Sequence, residues 1–195
     1  MPLRNRADPF GLAHAAPERG GFTGNRGGCC HREDRTLKDR QKVSRRRNRM
    51  QPGLCTELFF LEEAPALARC HRPCFERRRP DAGAFRGALV KAGLRPYGAS
   101  VGDVDALCAG EIQEVLAGRA ARETIDPAEL PDGAMYARDC ALDLIHARCA
   151  RASSFNGYGP PLSLHQAGLR LPPKIVCAAI NSGYQAGRHA SISRV

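Results

Sequence analysis

The feature that most constrains this chain is the point at which its apolar periodicity begins. Residues 1–53 are rich in Gly, Pro, Arg and Asn and contain no sustained pattern of apolar residues. Such a segment cannot bury enough apolar surface to offset the entropy lost on ordering it. We therefore expect a basic, largely loop or disordered region over 1–53, with one short β element near 21–23. A single domain is expected over 54–195.

The composition of the 195 residues is compatible with that one domain, because 43% are hydrophobic and 26% are charged. No window approaches about 18 uninterrupted apolar residues, so we predict no membrane-spanning helix and no membrane partner. The first eight residues lack the apolar stretch of a secretory signal. The expected location is therefore the cytoplasm, of a bacterial type of cell.

Apolar residues recur at three-to-four spacing in three stretches of the second part, as in amphipathic helices. The first helix is predicted over about 81–92, with Asp81 as its cap and Gly93 as its stop. The second is predicted over about 103–116, with an inward face that includes Leu107. The third follows Pro172-Pro173 and covers about 174–182. A shorter helix is expected over 62–68, with acidic residues and Pro65 in its first turn.

Strand signals lie on both sides of these helices. The apolar run 55–61 predicts a short strand, residues 135–146 predict a hairpin turning at Arg138-Asp139, and 169–171 predict another strand. The Gly- and Pro-rich stretch 156–161 is interpreted as a loop. The predicted fold class is α+β, a small mixed domain with short helices and a C-terminal β-hairpin region.

The net charge of +10 is concentrated near the N-terminus. Residues 1–80 contain 18 Lys and Arg against 9 Asp and Glu, whereas residues 81–195 contain 12 against 11. The densest run, residues 32–49, has 9 basic and 3 acidic side chains. Such a run attracts phosphate backbones by counterion release, although a solvated segment without a partner has the same composition. The candidate nucleic-acid-binding residues are Arg40, Lys42, Arg45, Arg46, Arg47 and Arg49.

Nine cysteines are many for a cytoplasmic chain, and their odd number and irregular spacing argue against a disulfide framework. Four of them stand singly among apolar neighbours and are predicted to be small core residues: Cys108, Cys140, Cys149 and Cys177.

The other cysteines include two local clusters with histidine, Cys29-Cys30-His31 and Cys70-His71 with Cys74. Zinc binds four sulfur or nitrogen donors, usually as two close pairs that the fold brings together. One pair from each cluster would satisfy that number, with residues 32–54 as the connecting loop. Unligated thiols near the surface are the alternative, since the spacing is unusual for zinc. The candidate ligands are Cys74, Cys70, His71, Cys30 and His31, and the predicted cofactor is Zn²⁺.

The segment from Phe59-Phe60 through Ala66-Leu67-Ala68 to His71-Arg72-Pro73-Cys74 resembles the second half of the Ada-type zinc-binding domain. There, a Phe-Phe pair, an Ala-rich helix and a Gly-x-Arg-Pro-Cys-x-x-Cys segment supply two zinc cysteines. The resemblance places Cys74 at the first of these ligands, Arg77 at the second and Cys70 at the usual glycine. The upstream Cys-x3-Cys with the methyl-accepting cysteine has no counterpart, so methyl transfer is not implied.

A wider resemblance, at low density over most of the chain, is to bacterial proteins that share several short segments in this order. The shared segments are residues 24–28, 56–61, 71–76, 130–134, 157–159 and 172–173. This group has Cys-x-x-Cys at 74–77 and an apolar β segment where this chain has an Arg-rich run. A shifted reading frame over 32–53, or a decaying gene, produces such a replacement.

Three hypotheses follow from the sequence. The first is a small α+β protein with a partial Ada-like zinc motif that binds nucleic acid through its basic region, without catalysis. The second is a cysteine-dependent enzyme, in which Arg72, Arg77 and His71 activate the thiolate of Cys74. The third is a degraded or frameshifted product without function.

Overall fold

The computed structural model describes residues 22–24, 29–32 and 58–194, apart from 76, 77, 97, 99, 117, 140, 155 and 165. Within these residues, four α-helices accompany two β-sheets, which confirms the α+β class. The disorder predicted for the basic N-terminal region concerns residues that lie mostly outside this description.

The smaller sheet has four short strands in the spatial order β3-β1-β2-β4. Strand β1 pairs in antiparallel fashion with β2 and with β3, and β2 pairs in parallel with β4. The β element predicted near 21–23 and the strand predicted within 55–61 are confirmed, whereas β2 was not predicted. The strands are β1 (Phe22–Gly24), β2 (Cys29–Arg32), β3 (Leu58–Phe60) and β4 (Arg72–Pro73).

The larger sheet has six antiparallel strands in the order β5-β10-β6-β7-β8-β9. Its centre is the predicted hairpin, in which β6 and β7 turn at Asp139 with φ 50°. The strands are β5 (Thr124–Ile125), β6 (Met135–Arg138), β7 (Ala141–His146), β8 (Cys149–Ser154), β9 (Gly157–Leu162) and β10 (Gly168–Arg170).

The prediction of a loop over 156–161 is wrong for residues 157–161, which belong to β9, and holds at Asn156, which lies in the turn before that strand. Among the described residues, strand β9 is at the edge of the sheet and pairs only with β8. Proline has no backbone N–H to donate, and an edge strand tolerates it because one side of the strand has no neighbour. Pro160 and Pro161 are therefore compatible with a strand at this place.

The helices are α1 (Glu63–Ala68), α2 (Arg79–Lys91), α3 (Val101–Leu116) and α4 (Lys174–Asn181). All four were predicted, and Gly93 and Gly183 follow α2 and α4 with φ +71° and +102°. Two details were wrong. Asp81 does not cap α2, because the helix begins two residues earlier, and Leu107 is 45% exposed rather than inward. No helix in the described part of the chain is long and apolar enough to cross a membrane.

Helix α1 lies between two apolar clusters and joins the helices to the larger sheet. Its Leu67 packs with Phe85 of α2, Val104 of α3 and Val176 of α4. Its Ala64 and Ala68 pack with one face of the sheet, which includes Met135, Leu144 and Tyr158. The opposite face of the sheet carries a third cluster around Tyr136 and Ile145. The packing of α1 against the other helices and against the larger sheet thus fixes the position of the turn that follows α1.

Candidate metal centre

The pairing of β2 with β4 brings the backbones of the two cysteine- and histidine-bearing segments together. Cys29 lies opposite Arg72 and Cys30 lies opposite Pro73 in a parallel register. Neighbouring strands are about 4.8 Å apart. Cys30 is therefore one strand spacing from the residue that precedes Cys74, although Pro73 comes 43 positions after Cys30 in the sequence. For residues 29–32 the structure describes the backbone.

The turn between α1 and β4 is a helix C-cap of the Schellman type. The N–H of Cys70 donates to the carbonyl of Leu67 at 3.0 Å, and the N–H of His71 donates to that of Ala66 at 2.8 Å. Cys70 is the left-handed residue of this motif, with φ 62°. Glycine is the usual residue at such a position because it has no Cβ. The side chain of Cys70 is therefore held at a position where its Cβ costs conformational energy.

The thiol of Cys70 belongs to the helical side of the molecule. It is buried in the cluster of α2, α3 and α4, and its Sγ donates to the carbonyl of Cys108. Burial raises the pKa of Cys70 far above its ordinary value, and the neighbouring Cys108 thiol adds to this effect. Cys70 is therefore a neutral thiol in this structure.

His71 and Cys74 lie on either side of β4, and both are buried. The ring of His71 packs against that of Phe60 in β3, with ring centroids 5.3 Å apart. The carbonyl of Cys74 accepts from the N–H of Arg78 at 2.8 Å, at the start of α2. The backbone on both sides of β4 is thus held by α1 and α2.

Arg72 ties β4 to α3. Its guanidinium donates to both carboxylate oxygens of Asp105, from Nε at 2.6 Å and from Nη2 at 2.8 Å. It also lies over the ring of Phe75, 5.0 Å from the centroid. Because Asp105 balances its charge, Arg72 is a weak source of the positive field that the enzyme hypothesis requires beside Cys74. The third activating residue of that hypothesis, Arg77, lies outside the described residues.

The residues that the structure describes contain no group of three or more His, Cys, Asp or Glu side chains close enough to hold a metal ion. Cys70, His71 and Cys74 do not form a site by themselves. A four-ligand zinc site would need donors from β2, where Cys30 and His31 are the predicted ligands. The metal site stays a prediction.

The candidate nucleic-acid-binding residues lie outside the described residues. Their place in the chain is nevertheless defined, because Arg40 to Arg49 follow the end of β2 at Arg32 and precede the start of β3 at Leu58. Strands β2 and β3 belong to the same sheet. The basic run thus forms part of a connection that leaves the smaller sheet and returns to it.

The described residues also include a shallow cavity of about 290 Å³ between the larger sheet and α4. Its walls include Glu123, Arg170, Lys174 and Cys177, but none of the predicted metal ligands. Burial raises the pKa of Cys177 to about 11, so this thiol is protonated at neutral pH. Of the four predicted small core residues, Cys108 is fully buried, Cys149 and Cys177 are half-buried, and Cys140 lies outside the described residues.

Sequence reasoning missed two buried carboxylates at the start of α1. Glu62 and Glu63 were interpreted as ordinary acidic residues of a first helical turn, yet they are 1% and 0% exposed. The signal that could have revealed them is their place within the apolar run 58–68, with Phe60-Leu61 before them and Ala64 after them. Acidic residues inside such a run need partners, because a buried charge without one is costly.

Comparison with known proteins gives no relative for this chain. No protein-family model matches it, and the searches of curated proteins and of solved structures give no match. Functional inference therefore rests on the residues themselves.

Proposed function

We propose that this protein is a zinc-binding module that joins β2 to β4 and presents a basic connection to nucleic acid. The observation that carries the proposal is the parallel register of β2 and β4, which pairs Cys30 with Pro73 beside Cys74. The proposed ligands are Cys74, His71, Cys30 and His31. They provide two thiolates and two imidazoles, a donor set that is common in structural zinc sites.

Cys70 is left out of the proposed ligand set, although the sequence made it a candidate. Its thiol already donates to the carbonyl of Cys108 within the helical cluster. Binding a metal would require the loss of that hydrogen bond and the ionisation of a thiol whose pKa burial raises far above its ordinary value.

Charge supports the nucleic-acid part of the proposal. The run from 32 to 49 carries 9 of the 30 basic residues of the chain, whereas residues 81–195 are nearly neutral. We propose that these basic side chains contact phosphate groups of a nucleic acid. Phosphate contacts of this kind give affinity without sequence preference.

The zinc proposal is tested by elemental analysis of protein purified without a metal-binding affinity tag. We expect about one zinc per chain in the wild type, and a loss of most of it in Cys74→Ser and in Cys30→Ser. Cys177→Ser is the matched control and keeps its metal, because Cys177 lies at the cavity beside α4. A wild-type chain without zinc, or a Cys74→Ser variant with full zinc, would contradict the proposal. Absent zinc combined with non-cooperative melting would favour the degraded product.

The nucleic-acid proposal is tested by fluorescence anisotropy with a labelled 20-base-pair DNA over a series of NaCl concentrations. In the triple variant Arg45→Gln, Arg46→Gln and Arg47→Gln, we expect weaker binding and a log K versus log salt slope smaller by about 2 to 3. The control replaces the exposed Arg79, Lys91 and Arg148 with Gln, which changes the net charge equally. Equal effects of both triple variants would show non-specific charge attraction and would contradict an interface at 45–47.

A further inference from the structure

The C-terminal residues 184–192 cross the start of α1 and bind both of its buried carboxylates. The hydroxyl of Tyr184 donates to Oε1 of Glu63 at 2.6 Å, and the N–H of Gly187 donates to Oε2 of Glu63 at 2.7 Å. The N–H of His189 donates to Oε2 of Glu62. We call residues 184–192 the strap.

The strap is also attached to the larger sheet. The hydroxyl of Ser191 accepts from the N–H of Tyr158 in β9 at 3.0 Å, and Ile192 packs in the cluster with Leu61 and Leu144. Arg188 donates to Oδ2 of Asp132 and to Nδ1 of His146, both at 2.6 Å. The strap thus connects α1 with β7 and β9.

The two carboxylates beneath the strap differ in how their charge is compensated. Glu63 accepts from Nη1 and Nη2 of Arg78 at 2.7 and 2.9 Å, a two-point pair with a guanidinium. Glu62 accepts from the hydroxyl of Tyr158 at 2.5 Å and from the backbone of His189, and both of these donors are uncharged. Glu62 is therefore a buried anion stabilised by neutral donors.

We propose that the strap is a pH-sensitive closure of the fold, and that uptake of a proton by Glu62 tightens it. Closing the strap removes Glu62 from water, which disfavours its ionised form, whereas an open strap leaves the carboxylate solvated. A proton therefore binds the closed form more tightly than the open form. By linkage, a fall in pH shifts the equilibrium toward the closed strap.

The pH window follows from the carboxyl group in the two forms. Burial raises the pKa of Glu62 in the closed form to about 6, against the lowering effects of Tyr158, His189 and Arg188. Its ordinary value is 4.5, and the opened carboxyl approaches it. The tightening is therefore absent well above pH 6 and complete well below pH 4.5. Its limit, for a shift of this size, is about thirtyfold in the closing equilibrium.

Other titratable groups near Glu62 also affect how the strap responds to pH. Glu63 beside it is held by Arg78, and Tyr158 stays protonated because burial and Glu62 raise its pKa well above the ordinary value. Burial, and then the charge of Arg188, lower the pKa of His146 below its usual 6.5. A proton on His146 would repel Arg188, so His146 loosens the strap in acid and opposes Glu62.

Amide hydrogen exchange at His189 tests the proposal, because this N–H is the donor to Glu62. Protection factors, corrected for the intrinsic pH dependence of exchange, are measured by NMR between pH 7.5 and 5.0. Nδ1 of His189 accepts from the N–H of Ser191 at 3.2 Å, so its imidazole also contributes to the closed strap. In the double variant His146→Gln and His189→Gln, which removes both imidazoles, we expect the protection of the residue-189 amide to rise about tenfold on acidification. In Glu62→Gln with His146 intact, the rise is absent and protection falls.

Two controls separate the strap from the rest of the fold. Glu129→Gln, at an exposed glutamate, keeps the wild-type pH profile. The amide of Ile145, which donates to the carbonyl of Ala134 within the larger sheet, reports global unfolding, and its protection exceeds that of His189 at every pH because the strap opens without the rest of the fold. A flat or falling protection of the residue-189 amide in the double histidine variant would overturn the proposal, as would a rise of the same size in Glu62→Gln.

Discussion

The two sheets of this protein are held in place by different means. The six-stranded sheet is packed on both faces, with Leu144 and Met135 on one side and Tyr136 and Ile145 on the other. Its hairpins join strands that are neighbours in sequence, and each strand contributes to the common core. Hydrophobic burial is enough to determine its register, because a slip of one residue would turn its core side chains toward water.

The four-stranded sheet has much less to fix it. Its strands are two to four residues long, and β2 pairs with β4 over only two positions. Short strand pairs are marginally stable in water unless packing or a cross-link supports them. On the β4 side, this support includes the cap of α1 and the pair between Arg72 and Asp105. Because packing supports the smaller sheet less, a bound metal ion would contribute more to the stability of this sheet than to that of the larger one.

The largest expected effect concerns Gly168 in β10 of the six-stranded sheet. A Cβ at this position would lie 2.5 Å from the carbonyl oxygen of Ala137 and 2.7 Å from Cδ2 of Tyr136. Neither the paired backbone nor the buried ring can move away easily, so Gly168→Ala should destabilise the protein by about 3 kcal/mol. The free energy of unfolding from urea titration measures this.

Gly159 provides the matched control in the same sheet. A Cβ there would meet Ala152 at 3.7 Å, which is an ordinary contact. Gly159→Ala should therefore stay within about 0.5 kcal/mol of the wild type. Similar losses in both variants would mean that the sheet is not packed as tightly at β10 as the structure indicates.

The next effect concerns zinc and separates the two sheets directly. A ligand that binds only the folded form at 100 times its dissociation constant stabilises that form by about 2.7 kcal/mol. If zinc links β2 to β4, its removal by EDTA should leave residues 58–60 with little hydrogen-exchange protection, while Ile145 in β7 keeps most of its protection because the larger sheet stays folded. Equal loss of protection in both sheets would show that the metal supports the whole fold, and no loss in either would contradict a structural zinc.

The larger sheet was more predictable from the sequence than the smaller one, for physical reasons. The hairpin 135–146 carries alternating apolar residues and a turn, so its local pattern contains the information. Strand β9 was missed because its Gly and Pro content is typical of a loop, and only its position at the sheet edge permits a strand. Leu107 was predicted to face the core because the spacing of apolar residues identifies the apolar face of a helix, but not how far around the helix that face extends.

In the candidate site, too, local sequence patterns did not reveal which residues that are distant in the sequence lie close together in the fold. The sequence predicted that the Cys30 and Cys74 segments could approach each other, and the backbone pairing of β2 and β4 does bring them together. The burial of Glu63 depends on Arg78, 15 residues later, and on the strap more than 120 residues later. Helical and strand periods span only a few residues, so they carry no information about partners that are this far apart in the sequence.

The smallest expected effect is that of substitutions at Cys70. They test whether this residue belongs to the metal site of the smaller sheet. Its left-handed conformation costs a side chain about 1 kcal/mol relative to glycine, whereas its buried thiol contributes packing and a hydrogen bond to Cys108. In Cys70→Gly these changes nearly cancel, so the free energy of unfolding should move by less than about 1 kcal/mol. Cys70→Ala keeps the backbone strain and should be about 1 kcal/mol less stable than Cys70→Gly.

Both variants should bind as much zinc as the wild type. A loss of zinc in both, with the fold intact by circular dichroism, would place Cys70 among the ligands and would move the metal from the β2–β4 pair toward the helical cluster.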